Sequence, residues 1–544
     1  MRSVPGNSSR PRRLTWSYGL LAAALVGLLV ILEILGTDGA TIDRIFLTVV
    51  GLHLLYAAFV SRTMTLHAFL YGDQAASSRL VGCILAASFL CGALVFNLGG
   101  EPIGYTALAF CAAGGTAAYV VLNACIVPHF RKSGSSSTAS FLGDHFDSNS
   151  VRICASLVLL AVNAAFIIAG LALAATVLES KLQVTPLTAA IASALLVALS
   201  AIFGGMRSVG WTAGPLFVAI CMGLAAYLLL PFLQTLGLAD PLPATAELRP
   251  TLLSDELDSP LSVSGWGSAT MMLTCMAGVA SLPFVHAAFA TARSLKAARM
   301  ASAWALLFIL GIVAVVPVLP AEFTSSTGAN GSVLLPLDAM TQIVEEMLGN
   351  PPADFPQVWS GVVTAGLLAA AIALTSLAIT NSANSMSNDI VFAWKGAKAD
   401  TASRLVVARL AILLMAGGGA VLVLHGQQFV LPGISLALGF SASSILLPLI
   451  LGIWWKRMDW IAALAGMLGG LTAASLWLYH VSTVDTPWLA LDFNRIALPG
   501  MAGSLICMLA ANLVHKRSAS GEDETKHEAL HFPNGNAPYA NLAK

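Results

Sequence analysis

Small and polar residues lie in the middle of an apolar stretch, residues 80–98, that is long enough to cross a membrane as a helix. The middle of this stretch carries Ala87, Ser88, Cys91 and Gly92. Small residues there allow either close packing of helices or a local break in the helix. A break would free backbone carbonyl oxygens, and a cation is one ligand that could use them.

Hydroxyl and amide side chains are dense in a second apolar stretch, residues 356–391. They are Thr375, Ser376, Thr380, Asn381, Ser382, Asn384 and Ser385. The adjacent hydroxyls of Thr375 and Ser376 can offer two hard oxygens to one ion, as Na⁺ would need. The alternative is hydrogen bonding between helices, worth about 0.6 kcal/mol per pair on average. The residues alone leave both alternatives open.

A third stretch, residues 265–290, combines proline, serine and histidine at membrane depth. Pro283 removes one backbone donor and disturbs the preceding turn, so we expect freed carbonyl oxygens near Ser281. For His286 three interpretations stand: a packed and hydrogen-bonded side chain, a group that binds an anionic substrate, or a group that titrates near neutral pH.

The composition is that of a polytopic membrane protein. The chain has 544 residues, of which 57% are hydrophobic and 10% are charged, whereas a soluble domain carries about 25% charged residues. The net charge of zero argues against a nucleic-acid partner. No full charge sits at the centre of an apolar stretch, where it would cost about 2.5–3.5 kcal/mol. The sequence therefore argues against a carboxylate-relay pump and a voltage sensor, and we expect no enzyme because no titratable cluster occurs in the apolar stretches.

The fold class expected from these stretches is all-α, with about 14 transmembrane helices. The predicted spans are 15–36, 43–62, 79–98, 104–127, 152–178, 185–204, 211–234, 265–290, 299–319, 356–391, 404–424, 429–454, 459–479 and 495–514. We interpret the first as a retained span, because its apolar run is too long for a usual signal peptide. The tenth is longer than one crossing needs, which predicts an extension beyond the membrane or a break.

Basic residues indicate the orientation. With the N-terminus inside, every Lys and Arg falls on the inner side except Arg44, Lys181, Arg249 and Arg495. Both termini are then cytoplasmic. The outer loops near 235–264 and 320–355 are acidic, which predicts either attraction of cations or solvated loops. The polar tail, residues 515–544, is predicted to be disordered.

Several sequence pieces together resemble the sodium:solute symporter family, and most of all its cation/acetate symporter (acetate permease) branch. They are LAASFLCGALVFN, FGGMRSVGW at 203–211, GVASLPF, SMSND ending at Asp389, and IWWKRMDWIAALAGMLGG at 453–470. The resemblance covers roughly residues 65–515. The chain departs from the branch in the eighth span, where the histidine stands at 286 and an arginine is absent, and near Ile167 in the fifth span.

The resemblance implies a five-plus-five inverted-repeat (LeuT-like) core. Residues 1–64 would form two leading helices, 65–455 the core, 456–514 two further helices and 515–544 the tail. Substrate and ion would then bind where discontinuous helices meet in mid-membrane.

The resemblance also implies a cation site between the third and tenth spans. Its ligands would be the carbonyl oxygens of Ala87, Leu90 and Ile372 and the hydroxyls of Thr375 and Ser376. Candidate substrate-binding residues are Ser88, Phe89, Ser281 and His286.

These features predict a secondary active transporter of the bacterial inner membrane. It would couple Na⁺, or H⁺ in its place, to symport of a small organic solute, and a short-chain monocarboxylate such as acetate is the expected class. Its partners would be that solute, the coupling ion and membrane lipid, with no nucleic acid and no further cofactor. The alternative is a transporter-like membrane sensor or regulatory protein without net transport.

Overall fold

The computed structural model describes residues 24–96, 105–235, 265–313, 356–396, 400–425, 433–456, 458–483 and 495–515. Among these residues the regular elements are helices, accompanied by an isolated bridge between Ala76 and Ala292. The two predicted acidic loops and the predicted disordered tail lie outside them, except for Thr235 and His515.

The first half of the chain forms α1 (Ala24–Ile34), α2 (Gly39–Ser61), α3 (Leu66–Tyr71), α4 (Ser78–Phe96), α5 (Tyr105–Val121), α6 (Val127–Ser133), α7 (Thr138–His145), α8 (Asn149–Leu182), α9 (Pro186–Ile202) and α10 (Met206–Thr235). The second half forms α11 (Gly265–Ser281), α12 (Pro283–Ala290), α13 (Leu295–Val313), α14 (Pro356–Asn384), α15 (Val391–Lys395), α16 (Thr401–Leu424), α17 (Ile434–Ser441), α18 (Leu447–Trp454), α19 (Trp460–Thr483) and α20 (Ala497–Val514). Turns of π-helix join α5 to α6, α14 to α15 and α17 to α18.

The helices confirm a multi-pass membrane protein. Within the described residues, nine helical segments are long and apolar enough to cross a membrane, and the bent pair α11–α12 makes a tenth. Shorter apolar helices occur at α1, α4 and α9. Each predicted span coincides with one of these segments or with α13.

Polar contacts between distant helices agree with the predicted alternation of the spans. Lys181 Nζ lies 3.4 Å from Asp43 Oδ2, and both residues were predicted on the outer side. At the opposite ends of the spans, an Arg409 guanidinium nitrogen donates to the Thr63 carbonyl at 2.7 Å. Both of these residues were predicted on the inner side. An added or missing span would have placed such partners on opposite faces.

Helix α4 runs without a break, which decides between the two alternatives for its small residues. Its helical conformation extends over Ser78–Phe96, through Ala87 and Leu90. A Cβ added at Gly82 would lie 2.7 Å from the Trp304 Cβ on α13. The small side chains of α4 therefore allow close packing, and the discontinuity implied for the third span by the resemblance is not present in residues 78–96.

The break predicted at Pro283 is confirmed. Helices α11 and α12 meet at 46°, and Leu282 between them is extended, with φ −65° and ψ 125°. The ring of Pro283 cannot donate a backbone hydrogen bond. Two carbonyl oxygens before the break instead accept from side chains: Ala280 from the His286 Nε2 at 2.9 Å and Ser281 from the Ser441 hydroxyl at 3.2 Å.

The tenth predicted span is long because α14 continues through a π-helical turn into α15. The turn covers Ser385–Ile390, and the helical backbone passes through it to Lys395. Helix α14 packs against α4, α8, α10 and α16. Because α14 has neighbours on all sides, its polar residues are screened from lipid, and their hydrogen-bond partners must come from other helices or from bound ligands.

Candidate functional site

Two adjacent hydroxyl groups lie in the buried core, on the side chains of Thr375 and Ser376 of α14. The Thr375 hydroxyl donates to the Ala371 carbonyl at 2.6 Å, and the Ser376 hydroxyl donates to the Ala373 carbonyl at 3.2 Å. A hydroxyl oxygen that donates its hydrogen keeps two lone pairs. Both oxygens can therefore still bind a cation.

Helix α8 packs closely against this hydroxyl pair through a glycine. A Cβ added at Gly170 would lie 2.1 Å from the Thr375 Oγ1 and 3.2 Å from the Ala371 carbonyl oxygen. No side chain fits in that space, so Gly170 permits the approach of α8 to α14. The sequence analysis did not single out this glycine, because its neighbour on α14 is known only from the packing.

The other predicted cation ligands lie on the same two helices, α4 and α14, which contact each other. Ala87 and Ile372 are fully buried, and Leu90 lies one turn after Ala87 on α4. Since α4 is unbroken, the carbonyl oxygens of Ala87 and Leu90 lie in regular helix. A carbonyl oxygen has two lone pairs, so helical hydrogen bonding leaves one available for an ion.

The predicted substrate residues of α4 do not face one common surface. The Ser88 hydroxyl donates to the Leu85 carbonyl of its own helix at 2.9 Å. The Phe89 ring instead lies against α5, because a Cβ added at Gly115 would stand 2.9 Å from its Cε2 atom and 4.0 Å from the Val279 Cγ2 of α11. Phe89 is thus close to the break in α11–α12.

Ser281 and His286 lie on the two sides of that break, and both are buried. The Ser281 hydroxyl donates to the Gly278 carbonyl at 2.8 Å. Because a carbonyl only accepts, the His286 Nε2 must donate to Ala280 O, and Nδ1 then accepts from the Thr138 hydroxyl at 2.8 Å. Both ring nitrogens of His286 are therefore occupied by protein groups, as expected for a packed histidine.

Sequence reasoning missed the partner of His286 and a polar cluster at the inner end of α14. The Ser137 hydroxyl donates to the Asp389 Oδ2 at 2.6 Å, across 252 residues of sequence. One helical turn and more before it, the Asn384 Nδ2 donates to the Ser136 carbonyl at 3.0 Å. The serine-rich segment 135–138 was visible in the sequence, but nothing local indicated which helix it would contact.

The same segment is tied to α3. The Tyr71 hydroxyl donates to the Gly134 carbonyl at 3.0 Å. Burial raises the pKa of Tyr71, and the hydroxyl of Ser136 lowers it in part. Tyr71 therefore stays protonated and remains a donor at neutral pH.

A family model decides the classification of this helical arrangement. The model described as "Sodium:solute symporter family" matches residues 69–470. The chain belongs to the sodium:solute symporter family. The family and the fold are those of transporters.

Relatives within this family are distant. An uncharacterised symporter of Cupriavidus necator is 27% identical over 38% of the chain, and that match spans 35% of the relative. The uncharacterised symporter YwcA of Bacillus subtilis is 24% identical over 82% of the chain and 86% of its own length. The high-affinity proline transporter PutP of Bacillus subtilis is 23% identical, with 83% and 93% covered.

A solved structure of a sodium-coupled sialic acid symporter, in a substrate-bound outward-open state, shares the fold of this symporter-family chain. The TM-score is 0.69 at 15% identity, and the match covers 88% of this chain and 98% of the other. Such a likeness supports a LeuT-like arrangement of helices. It does not identify the solute, and the acetate branch suggested by the sequence is not confirmed.

Proposed function

We propose that the protein is a Na⁺-coupled symporter of a small solute that carries a carboxylate, with short-chain monocarboxylates such as acetate as the first candidates. The observation that supports coupling best is the buried pair Thr375 and Ser376 on α14, a helix that contacts α4, α8 and α12. The proposed cation ligands are these hydroxyls with the carbonyls of Ala87, Leu90 and Ile372.

The solute would bind beside the break between α11 and α12. Helix α12 begins at Pro283 inside the protein, and the N-terminus of a helix carries partial positive charge. An anionic group of a substrate is stabilised at such an end. Proline, which the names of two relatives mention, also carries a carboxylate. A carboxylate is therefore the shared chemistry that we propose for the solute, with Ser281 and Phe89 nearest to it.

The coupling would be a difference in affinity between conformations. Na⁺ would favour the outward-open, loaded state, and its release inside would weaken solute binding. One Na⁺ that crosses 100 mV releases about 2.3 kcal/mol. Since about 1.4 kcal/mol corresponds to a tenfold ratio, one ion supports roughly 50-fold accumulation of a neutral solute.

The test is uptake by the purified protein in proteoliposomes. Labelled acetate, propionate and proline would be offered with an inward Na⁺ gradient, an inward H⁺ gradient and no gradient. We expect Na⁺-dependent uptake of at least one carboxylate. Uptake driven by the H⁺ gradient alone would replace Na⁺ by H⁺, and no uptake of any carboxylate would favour the sensor alternative.

The cation site is tested by the double variant Thr375→Ala/Ser376→Ala. We expect the Na⁺ concentration for half-maximal uptake to rise at least about tenfold, because two oxygen ligands are removed. The matched control is Thr364→Ala on the same helix, whose buried hydroxyl donates only to the Ser360 carbonyl at 2.7 Å. Unchanged Na⁺ dependence in the double variant would remove the assignment of these two ligands.

A further inference from the structure

Two asparagine side chains are buried in the protein without hydrogen-bond partners. Asn163 lies on α8 and Asn381 on α14, and both are 0% exposed. The amide oxygen and the amide nitrogen of each have no partner. A buried amide without a partner is expensive, and native proteins satisfy nearly all such groups with protein, water or an ion.

The packing of α8 against α14 places the two amides at the same depth. On one side Gly170 meets Thr375, and on the other the Arg152 guanidinium lies 5.3 Å from the Phe392 ring centre. The sequence numbers rise along one helix as they fall along the other, so the helices are antiparallel. Asn163 is eleven residues from Arg152, and Asn381 is eleven residues from Phe392.

This layer lies between the proposed cation site and the predicted inner face. Asn381 follows Thr375 by six residues, or about 9 Å along the helix, and Asp389 follows Asn381 by eight residues, or about 12 Å. All three side chains are buried. An ion that leaves Thr375 toward the inner end of α14 therefore passes the two amides.

The chemistry of the layer suits a monovalent cation. The amide oxygens of Asn163 and Asn381 are neutral, hard acceptors that no protein donor occupies. The hydroxyl of Ser382, next to Asn381, donates to the Ala378 carbonyl at 3.0 Å and keeps its own lone pairs. The nearest arginine along α8, Arg152, is about 16 Å away along the axis, so no fixed positive charge on these two helices repels a cation here.

We propose that Asn163 and Asn381 form a second Na⁺ site, a transit site that the coupling ion occupies between Thr375/Ser376 and the inner face. This proposal rests on the proposed Na⁺-coupled transport. The two amide oxygens and the Ser382 hydroxyl supply part of the coordination shell, and water supplies the rest. The site explains why two buried amides on packed helices have no protein partner.

The test is binding of ²²Na⁺ to the purified full chain, displaced by unlabelled Na⁺. We expect two components in the wild-type protein. Asn163→Leu/Asn381→Leu, which replaces each amide by an apolar side chain of similar size, should weaken one component at least about tenfold. Thr375→Ala/Ser376→Ala should weaken the other. A single component in the wild-type protein, or two unchanged components in the leucine variant, would show that water alone fills the layer.

Two further variants keep the test decisive. Thr176→Val is the control, because its hydroxyl is also buried on α8 without a partner, and six residues from Gly170 it lies on another side of the helix. It should leave both components unchanged. If the leucine variant does not fold, Asn163→Asp adds a negative charge at the same size and should tighten the second component about tenfold. Unchanged affinity in that variant would overturn the transit site while leaving the Thr375/Ser376 site intact.

Discussion

Ser137 and Asp389 join the N-terminal cap of α7 to the π-helical turn after α14. The Ser137 hydroxyl donates to the Asp389 Oδ2 at 2.6 Å, and the same hydroxyl oxygen accepts from the Ser140 amide at 2.9 Å. The other carboxylate oxygen of Asp389 is buried and has no hydrogen-bond partner. The Ser137 hydroxyl thus performs two tasks, as a helix cap and as the donor to a buried carboxylate.

Replacement of Ser137 by alanine is expected to lower thermal stability. The change removes the helix cap, worth about 1 kcal/mol, and leaves the Asp389 carboxylate without its donor, which costs about 1–3 kcal/mol more. The measurement is the thermal unfolding midpoint of the purified protein. Ser133→Ala is the control, since the hydroxyl of Ser133 bonds only to the neighbouring Phe130 and Ser135. Equal midpoints for the two variants would contradict a special role for Ser137.

Replacement of Gly170 by alanine is expected to disturb the proposed cation site. The new Cβ would overlap the Thr375 Oγ1, so α8 must move away or the threonine must rotate. Overpacking of this kind costs about 1–3 kcal/mol. We expect a lower unfolding midpoint together with weaker Na⁺ dependence of uptake.

The control for Gly170→Ala is Gly210→Ala on α10. Nothing lies within 4 Å of a Cβ added at Gly210, and alanine is favoured over glycine in a helix by about 0.5–1 kcal/mol. Gly210→Ala should therefore keep or raise the unfolding midpoint. If Gly170→Ala behaves like Gly210→Ala in both measurements, Gly170 does not control the position of Thr375.

His286 is expected to act through its hydrogen bonds to Thr138 and Ala280. His286→Ala and Thr138→Val should each reduce stability by about 1–3 kcal/mol, because each leaves a buried partner unsatisfied. Since the two side chains bond to each other, the double variant should cost less than the sum of the single variants. The transport KM for the solute should not change in either. A rise of KM confined to His286→Ala would instead support direct contact of His286 with substrate.

Ser441→Ala is expected to weaken the contact of α17 with the break in α11. Its hydroxyl donates to the Ser281 carbonyl, which stands before Pro283. Loss of this bond should cost about 0.5–1.5 kcal/mol in thermal unfolding. Ser444→Ala, whose hydroxyl donates to the Phe440 carbonyl three residues further along the same segment, provides the comparison. An equal loss in both would show that the bond to Ser281 adds nothing.

Local features of the sequence predicted much of this protein. Apolar runs of about 20 residues predict spans because the hydrocarbon layer has a definite thickness and every backbone group in it must be paired within a helix. Pro283 predicted the break between α11 and α12 because proline lacks a donor. The excess length of the tenth span indicated an irregularity, which the π-helical turn at Ser385–Ile390 accounts for.

Other features depended on which helices became neighbours. The small residues of α4 were compatible with a break or with close packing, and the contact of Gly82 with Trp304 shows that packing is what they permit. Gly170 was one of 47 glycines, and nothing in its local sequence indicated that Thr375 would lie against it. The cation assignment for Ala87, Leu90, Ile372, Thr375 and Ser376 remains a prediction.

The sequence by itself determined the number and type of the helices, the place of one break and the family, because hydrophobic length, proline chemistry and motif pieces are local properties. Only the tertiary structure decided which polar groups obtain partners. Ser137 reaches Asp389, and Thr138 reaches His286, whereas Asn163 and Asn381 are left with none. The physical reason is that hydrogen bonds between residues far apart in sequence depend on helix packing, and packing is a property of the whole chain.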